Sequence, residues 1–200
     1  GQLEEYPESK IDEQAAISLA VAKFGRTMSF SWETIINDDL DQFQNTPMRF
    51  AAAARRTEQL GVTELYVDAS GPHASLYTSG NKNIVNTTNG AAATNPPLSI
   101  AALQGGLIVM AAMKGENGQP IMRESVTLVV PPALEITALN IINAIQLELT
   151  QAGGVPNVSN SGEQKLIVQN WMRNRLNLVV DPYIPMTASS ANGNTSWFLF

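Results

Sequence analysis

The stretch that most constrains this chain runs from Trp32 to Ser70, and its second half has the composition of one long surface helix. Thr46-Pro47 is a helix start: a Thr N-cap accepts an orphan backbone N–H, and Pro at the first helical position gives up no bond. Ala51 to Ala54, Arg55, Arg56 and Glu58 then favour helix by propensity. Val62, Leu65, Tyr66 and Ala69 continue at spacings of three, four and seven and predict one apolar face. Gly61 interrupts the pattern at a cost of about 1 kcal/mol relative to Ala, so it is a tolerated weak point and not a terminus. A helix over about 47–68 would span about 33 Å. The acids Asp38, Asp39 and Asp41 before it predict a short preceding helical turn capped by Asn37.

The segment ahead of this helix differs in period. Ile17, Leu19 and Val21 alternate with smaller residues, and Thr27 to Trp32 alternate polar and apolar, which predicts a long β-hairpin over about Leu3 to Phe30. A hairpin alone is marginal in water, so this one needs a partner surface. Behind the helix, Gly71 to Pro97 is dense in Gly, Asn, Thr and Pro and predicts loop, with one short strand at Asn83 to Val85. Ser99 caps a helix carrying Ile100, Leu103, Leu107 and Met110, in which Gly105-Gly106 implies a close helix neighbour or a kink.

Gly115 to Gln119 is a turn, and Val126 to Val130 is a buried strand. Pro132 opens a helix whose apolar face is Leu134, Ala138, Leu139, Ile142 and Ile145. Gly153-Gly154 and the polar stretch 157–162 separate it from a second buried strand, Asn177 to Val180. Asp181-Pro182 and Pro185 turn the chain, and a small-residue loop, Ala188 to Thr195, leads to a final aromatic strand. The order of elements predicts an α+β fold.

The chemistry that could be built is limited. A chain of 200 residues that is 44% hydrophobic can bury a real core, and 18 acidic against 12 basic side chains give a net charge of −6, which does not favour a nucleic-acid-binding surface. Arg173 and Arg175 form a local basic cluster, expected to be a solvated face. There is no cysteine and one histidine, His73, in a Gly-Pro-His turn where an exposed position is expected. Disulfide, zinc-thiolate and thiol chemistry are thereby excluded, and a Ser-His-Asp triad is hard to assemble. Asp38, Asp39 and Asp41 could gather a divalent cation, but acids at a helix start more often complement its dipole. Glu33 and Asp68 have no geometry fixing them as an acid/base pair. Trp32, Trp171 and Trp197 are expected in core packing. No catalytic, cofactor or metal residue is assigned, no enzyme activity is expected, and no apolar run is long enough for a membrane span.

Several stretches together point to a family. Ile36 to Leu40 (INDDL) precedes the long Ala-rich helix. Leu128 to Ile142 (LVVPPALEITALNII), Leu178 to Pro185 (LVVDPYIP) and Thr195 to Phe200 (TSWFLF) follow it. In this combination the chain resembles the major capsid protein of tailed bacteriophages, the Hong Kong 97-type fold, in the branch of Mu-like head subunits and protease-fused capsid proteins. The resemblance implies an extended hairpin loop over 1–32, a peripheral domain with a spine helix over 33–126, and an axial domain over 127–200. It also implies that an N-terminal arm and the C-terminal elements returning to the peripheral domain are missing from this chain. Lys10 and Lys23 match no cross-linking lysine.

The implied function is structural: self-assembly into pentamers and hexamers of an icosahedral shell enclosing double-stranded DNA. The expected partners are further copies of the chain, scaffold, portal and decoration proteins, and DNA held without specific recognition, in a virion assembled in the host cytoplasm. An encapsulin-type nanocompartment shell is the related alternative. A soluble hydrolase or ligand-binding domain with the Gly71 to Pro97 loop as a lid is the unrelated one.

Overall fold

The computed structural model describes residues 23–29, 31–36, 42–87, 93–115, 118–121, 125–151 and 164–200. It divides into two compact units, Gly1–Pro47 and Met48–Phe200. In the first, 23–29 forms no strand and Trp32–Ile36 is a short helix, α1. The strand expected over Thr27 to Trp32 is therefore corrected: six alternating residues define a face, and a strand also requires a paired neighbour to satisfy its backbone. At Ser31 the carbonyl instead accepts from the Ile35 N–H at 3.3 Å, which begins a helix. The rest of the expected hairpin, and the acidic turn at 37–41, lie outside the described residues.

Helix α2 spans Gln42–Tyr66 and crosses the boundary between the units. Its start is earlier than Thr46-Pro47, so Pro47 is inside the helix and no N–H is offered to the carbonyl of Phe43. Pro47 itself is exposed, where water can take that bond. The expected end at Asp68 is also corrected. Val67–Asp68 (β1) pairs antiparallel with Gly71–Pro72 (β2), a two-residue hairpin that stops the helix. The Asp68 carboxylate fixes the turn by accepting from the N–H groups of Ser70 (2.6 Å) and Ala74 (2.8 Å). Gly71 has φ +114°, and a Cβ there would meet Ser196 Oγ at 3.0 Å and Asn192 Cβ at 3.2 Å, so this position needs glycine.

The main sheet has the order β6-β3-β7. Its centre is β3, Val126–Val130, with β6 (Leu176–Val180) parallel on one side and β7 (Phe198–Leu199) antiparallel on the other. Alternation along β3 sorts two cores. Val126, Leu128 and Val130 pack with Leu103, Ala138, Ile142, Leu147, Met172 and Leu176, whereas Val129 packs with Val67, Ile184, Ala188 and Phe198. Leu103 and Leu128 are fully buried, each worth about 1.5–3 kcal/mol of apolar burial. The expected buried strand at Asn177 to Val180 is half right: β6 lies at the sheet edge and Val179 is 47% exposed.

Helix α3, Ile100–Ala112, is capped as expected, with Ser99 Oγ accepting from the Ala102 N–H at 3.1 Å. The helix runs unbroken through its glycine pair. The close neighbour is the final strand and not a helix: a Cβ on Gly106 would stand 2.6 Å from Leu199 Cδ1 and 3.4 Å from the Trp197 ring. A 3₁₀ turn, Pro132–Leu134, leads into α4, Glu135–Asn143, which buries Ala138 and Ile142; contrary to expectation Leu139 is exposed and Ile145 lies beyond the end of the helix, exposed as well.

The sequence reading missed a hairpin, β4 (Gln146–Gln151) with β5 (Gln164–Gln169), in register from Gln146↔Gln169 to Gln151↔Gln164. Two four-residue helices, α5 (Ile184–Thr187) and α6 (Ser190–Gly193), precede β7. The expected strand at Asn83 to Val85 is absent. Asn81 and Asn83 there donate to the Leu76 carbonyl and the Asn83 side-chain oxygen accepts from Thr78, so side chains satisfy the backbone in place of a ladder.

Candidate assembly surface

Helix α2 is the least covered element of the second unit. Every residue from Pro47 to Gln59 is exposed, and burial begins only near the C-terminal end, at Leu60, Thr63, Tyr66 and Val67. The face predicted to be buried is thus partly reversed, because Val62 and Leu65 are 59% and 56% exposed. At 100° per residue, Phe50, Ala54, Gly61 and Leu65 recur on the side opposite Thr63, and all are exposed. A helix this bare is weakly supported by its own subunit.

Its base is held by a buried carboxylate. Asp181 is 6% exposed, and its Oδ2 accepts from Thr63 Oγ1 at 2.6 Å and from the Tyr66 hydroxyl. Oδ1 accepts from the Tyr183 N–H at 2.9 Å, and the Asp181 N–H donates to the Val130 carbonyl at 2.9 Å. Burial, and then the neighbouring carboxylate of Asp181, push the Tyr66 hydroxyl pKa well above its ordinary value. Burial alone pushes Tyr77 up to about 12. The ring of Tyr66 packs edge-on against Phe198 and Phe200, with centroids 5.0 and 5.4 Å away.

The residues singled out from sequence do not converge. Glu33 and Lys23 are exposed, and Asp68 serves its turn, where the Ala74 and Ser70 N–H groups hold its pKa below the usual carboxylate value. Asp38, Asp39, Asp41 and Lys10 lie outside the described residues. Arg173 and Arg175 are exposed, as expected. His73 is half-buried, not exposed, and its Nδ1 accepts from the Ser75 N–H at 3.3 Å. Trp171 and Trp197 pack on the core and Trp197 Nε1 donates to the Pro96 carbonyl at 3.0 Å, but Trp32 is 73% exposed and belongs to no core.

Among the described residues two clefts can be traced. One, of about 280 Å³, is lined by Ile145, Gln146, Gln169, Asn170, Arg173 and Asn174. The other, of about 830 Å³, lies between α3 and the 171–177 segment. No described residue of the Gly71 to Pro97 loop lines either one. Among the described residues, no three His, Asp or Glu side chains are grouped to hold a metal, and no helix is long and apolar enough to cross a membrane.

Residues 14–200 match the family model for phage capsid protein. The chain belongs to the phage capsid protein family. No curated protein and no solved structure matches it. The surface left open among the described residues includes a long helix and a set of exposed apolar side chains. Ile136, Ile145, Ile167, Met48 and Met186 are all more than 60% exposed, a pattern that suits surfaces closed by other molecules.

Proposed function

We propose that this capsid subunit is a major head protein of the Hong Kong 97 type, with α2 as its spine helix. The residues before about Trp32 form the extended loop, 33–126 the peripheral part and 127–200 the axial part. Copies close into pentamers and hexamers of an icosahedral shell around double-stranded DNA, by heterologous contacts in which one subunit covers what its neighbour exposes. Scaffold, portal and decoration proteins act on that shell, which is built in the host cytoplasm.

The observation that carries this reading is the exposure of α2. A 25-residue helix is about 38 Å long, and in the subunit it is exposed throughout 47–59. Such an element gains most of its stability from packing, so the partner that covers it contributes to folding as well as to assembly. Electron microscopy of the purified chain across salt, pH and crowding conditions tests this. Closed shells or rings are expected, and a strictly monomeric protein under every condition would count against the proposal.

A further inference from the structure

We infer that the contacts of Thr63 and Tyr66 with Asp181 form a positioning clamp that sets the direction in which α2 leaves the body of the subunit. Thr63 and Tyr66 are one turn apart on the same side of α2, and both donate to the same oxygen, Oδ2. Two donors three residues apart on one atom fix both the rotation of the helix about its axis and its tilt. The carboxylate cannot follow the helix if it moves, because it is tied at every other point. Its Oδ1 is held by the Tyr183 N–H and its backbone N–H by Val130 at the end of β3, and Pro182 restricts its backbone conformation.

The other contacts at the base are the backbone bonds from the His73 N–H to the Tyr66 carbonyl (3.0 Å) and from the Ser189 N–H to the Ala69 carbonyl (2.9 Å), with Val67 in its core and the Tyr66 ring against Phe198 and Phe200. The backbone bonds lie at or beyond the last residue of the helix and the apolar packing is not directional, so without the clamp the base acts as a pivot. The lever is long. From Thr63 back to Met48 is about 22 Å, so ~10° of freedom at the base becomes about 4 Å at Met48. Resting on the shell reading above, the same angle sets how neighbouring subunits meet, which makes the clamp a determinant of shell curvature.

The chain has no cysteine, so labels can be placed without first removing native cysteines. With Ala53→Cys on α2 and Glu135→Cys on α4 carrying spin labels, the distance distribution is measured by double electron–electron resonance in the wild-type background and in Thr63→Val/Tyr66→Phe. Both replacements keep the shape of the side chain and remove only the hydroxyl. The distribution is expected to broaden by about 2–3 Å, the sweep of ~10° over the roughly 15 Å from Thr63 to Ala53. A folded double variant whose melting temperature falls while the distribution keeps its width overturns the inference, because a purely stabilising contact would behave that way. Should the double variant not fold, Tyr66→Phe alone is read by the same criterion, since it keeps the ring packing.

In the second arm the variant is assembled and imaged. Particles of mixed diameter support the link to curvature, and uniform particles of wild-type diameter overturn it. A wild-type chain that forms no particles speaks against the shell reading and leaves the distance measurement standing by itself.

Discussion

Gly61 and Gly106 both sit inside helices, yet replacing each by alanine is expected to change stability in opposite directions. Around Gly61 nothing lies within 4 Å of a new Cβ, so Gly61→Ala gains the full helix propensity, about 0.8–1.0 kcal/mol. At Gly106 the same gain is offset by overpacking. The new Cβ would stand 2.6 Å from Leu199 Cδ1, about an ångström inside ordinary contact, and 3.4 and 3.5 Å from two atoms of the Trp197 ring. Leu199, half-buried against the core, must shift its terminal methyl to make room, and Trp197 is pinned by its bond to the Pro96 carbonyl. Overpacking of this kind costs about 1–3 kcal/mol, leaving Gly106→Ala destabilised by about 1 kcal/mol after the propensity gain. The two variants should therefore differ by about 2 kcal/mol, or roughly 4–8 °C in melting temperature for a chain of this size. Circular dichroism melts of both, with urea denaturation as the second probe, read this directly. Equal or higher stability for Gly106→Ala would refute the close approach of α3 to the last strand. An unchanged Gly61→Ala would show that this part of α2 is not helical in solution. The Gly61 variant has a second use: if the weak point lets the spine bend during maturation, it should assemble but mature poorly.

Asn170 closes the end of α4, with its Nδ2 donating to the carbonyls of Ile141 (2.7 Å) and Ile142 (2.9 Å) and its Oδ1 accepting from the Met172 N–H (2.9 Å). Asn170→Ala should cost about 2 kcal/mol in urea denaturation, and Asn170→Asp more, because it sets a carboxylate against the negative helix end. Tyr77 is a pH marker. Its folded-state pKa is raised from 10.0 to about 12, so the stability tied to its neutral form is complete below pH 10 and is lost as pH rises through 10 towards 12. Tyr77→Phe should flatten stability against pH in that window, as followed by melting temperature alongside tyrosinate absorbance.

The parts of the fold legible in the sequence are those where local chemistry and tertiary packing agree. Ser99 capped its helix because nothing competes for its hydroxyl, and Val126 to Val130 announced a central strand because both its faces are buried. The final aromatic strand was readable for the same reason. Failures came where a distant group decided the outcome. Thr63 is polar, so periodicity assigned the buried face of α2 to Val62 and Leu65, whereas a carboxylate 118 residues away makes Thr63 the buried position. The β4–β5 hairpin was hidden because Leu147 and Leu149 alternate over too short a run to stand out beside the helical spacing that ends at Ile145. Asp181 and Asn170 carry no sequence signal beyond their types. A pairing of buried Asp with Thr and Tyr at helical spacing three is the one pattern that could have been sought.

The bare part of α2 gives a final expectation that separates a helix held by its own subunit from one held by a neighbour. Helical segments of about a dozen residues are marginal without packing, and Met48 to Gln59 is such a segment, exposed throughout and interrupted upstream by Pro47. Its amides should open locally and exchange within seconds to minutes in free subunits. Those of Thr63 to Tyr66, next to the buried carboxylate, should exchange far more slowly. On assembly the contrast should disappear, since the surface that covers Phe50, Ala54 and Leu65 then supports the same amides. Hydrogen exchange read by mass spectrometry on free subunits and on particles makes the comparison on one peptide. Slow exchange over 48–59 in the free subunit would mean that α2 is already braced within its own chain and that its exposed face is not where the neighbour binds.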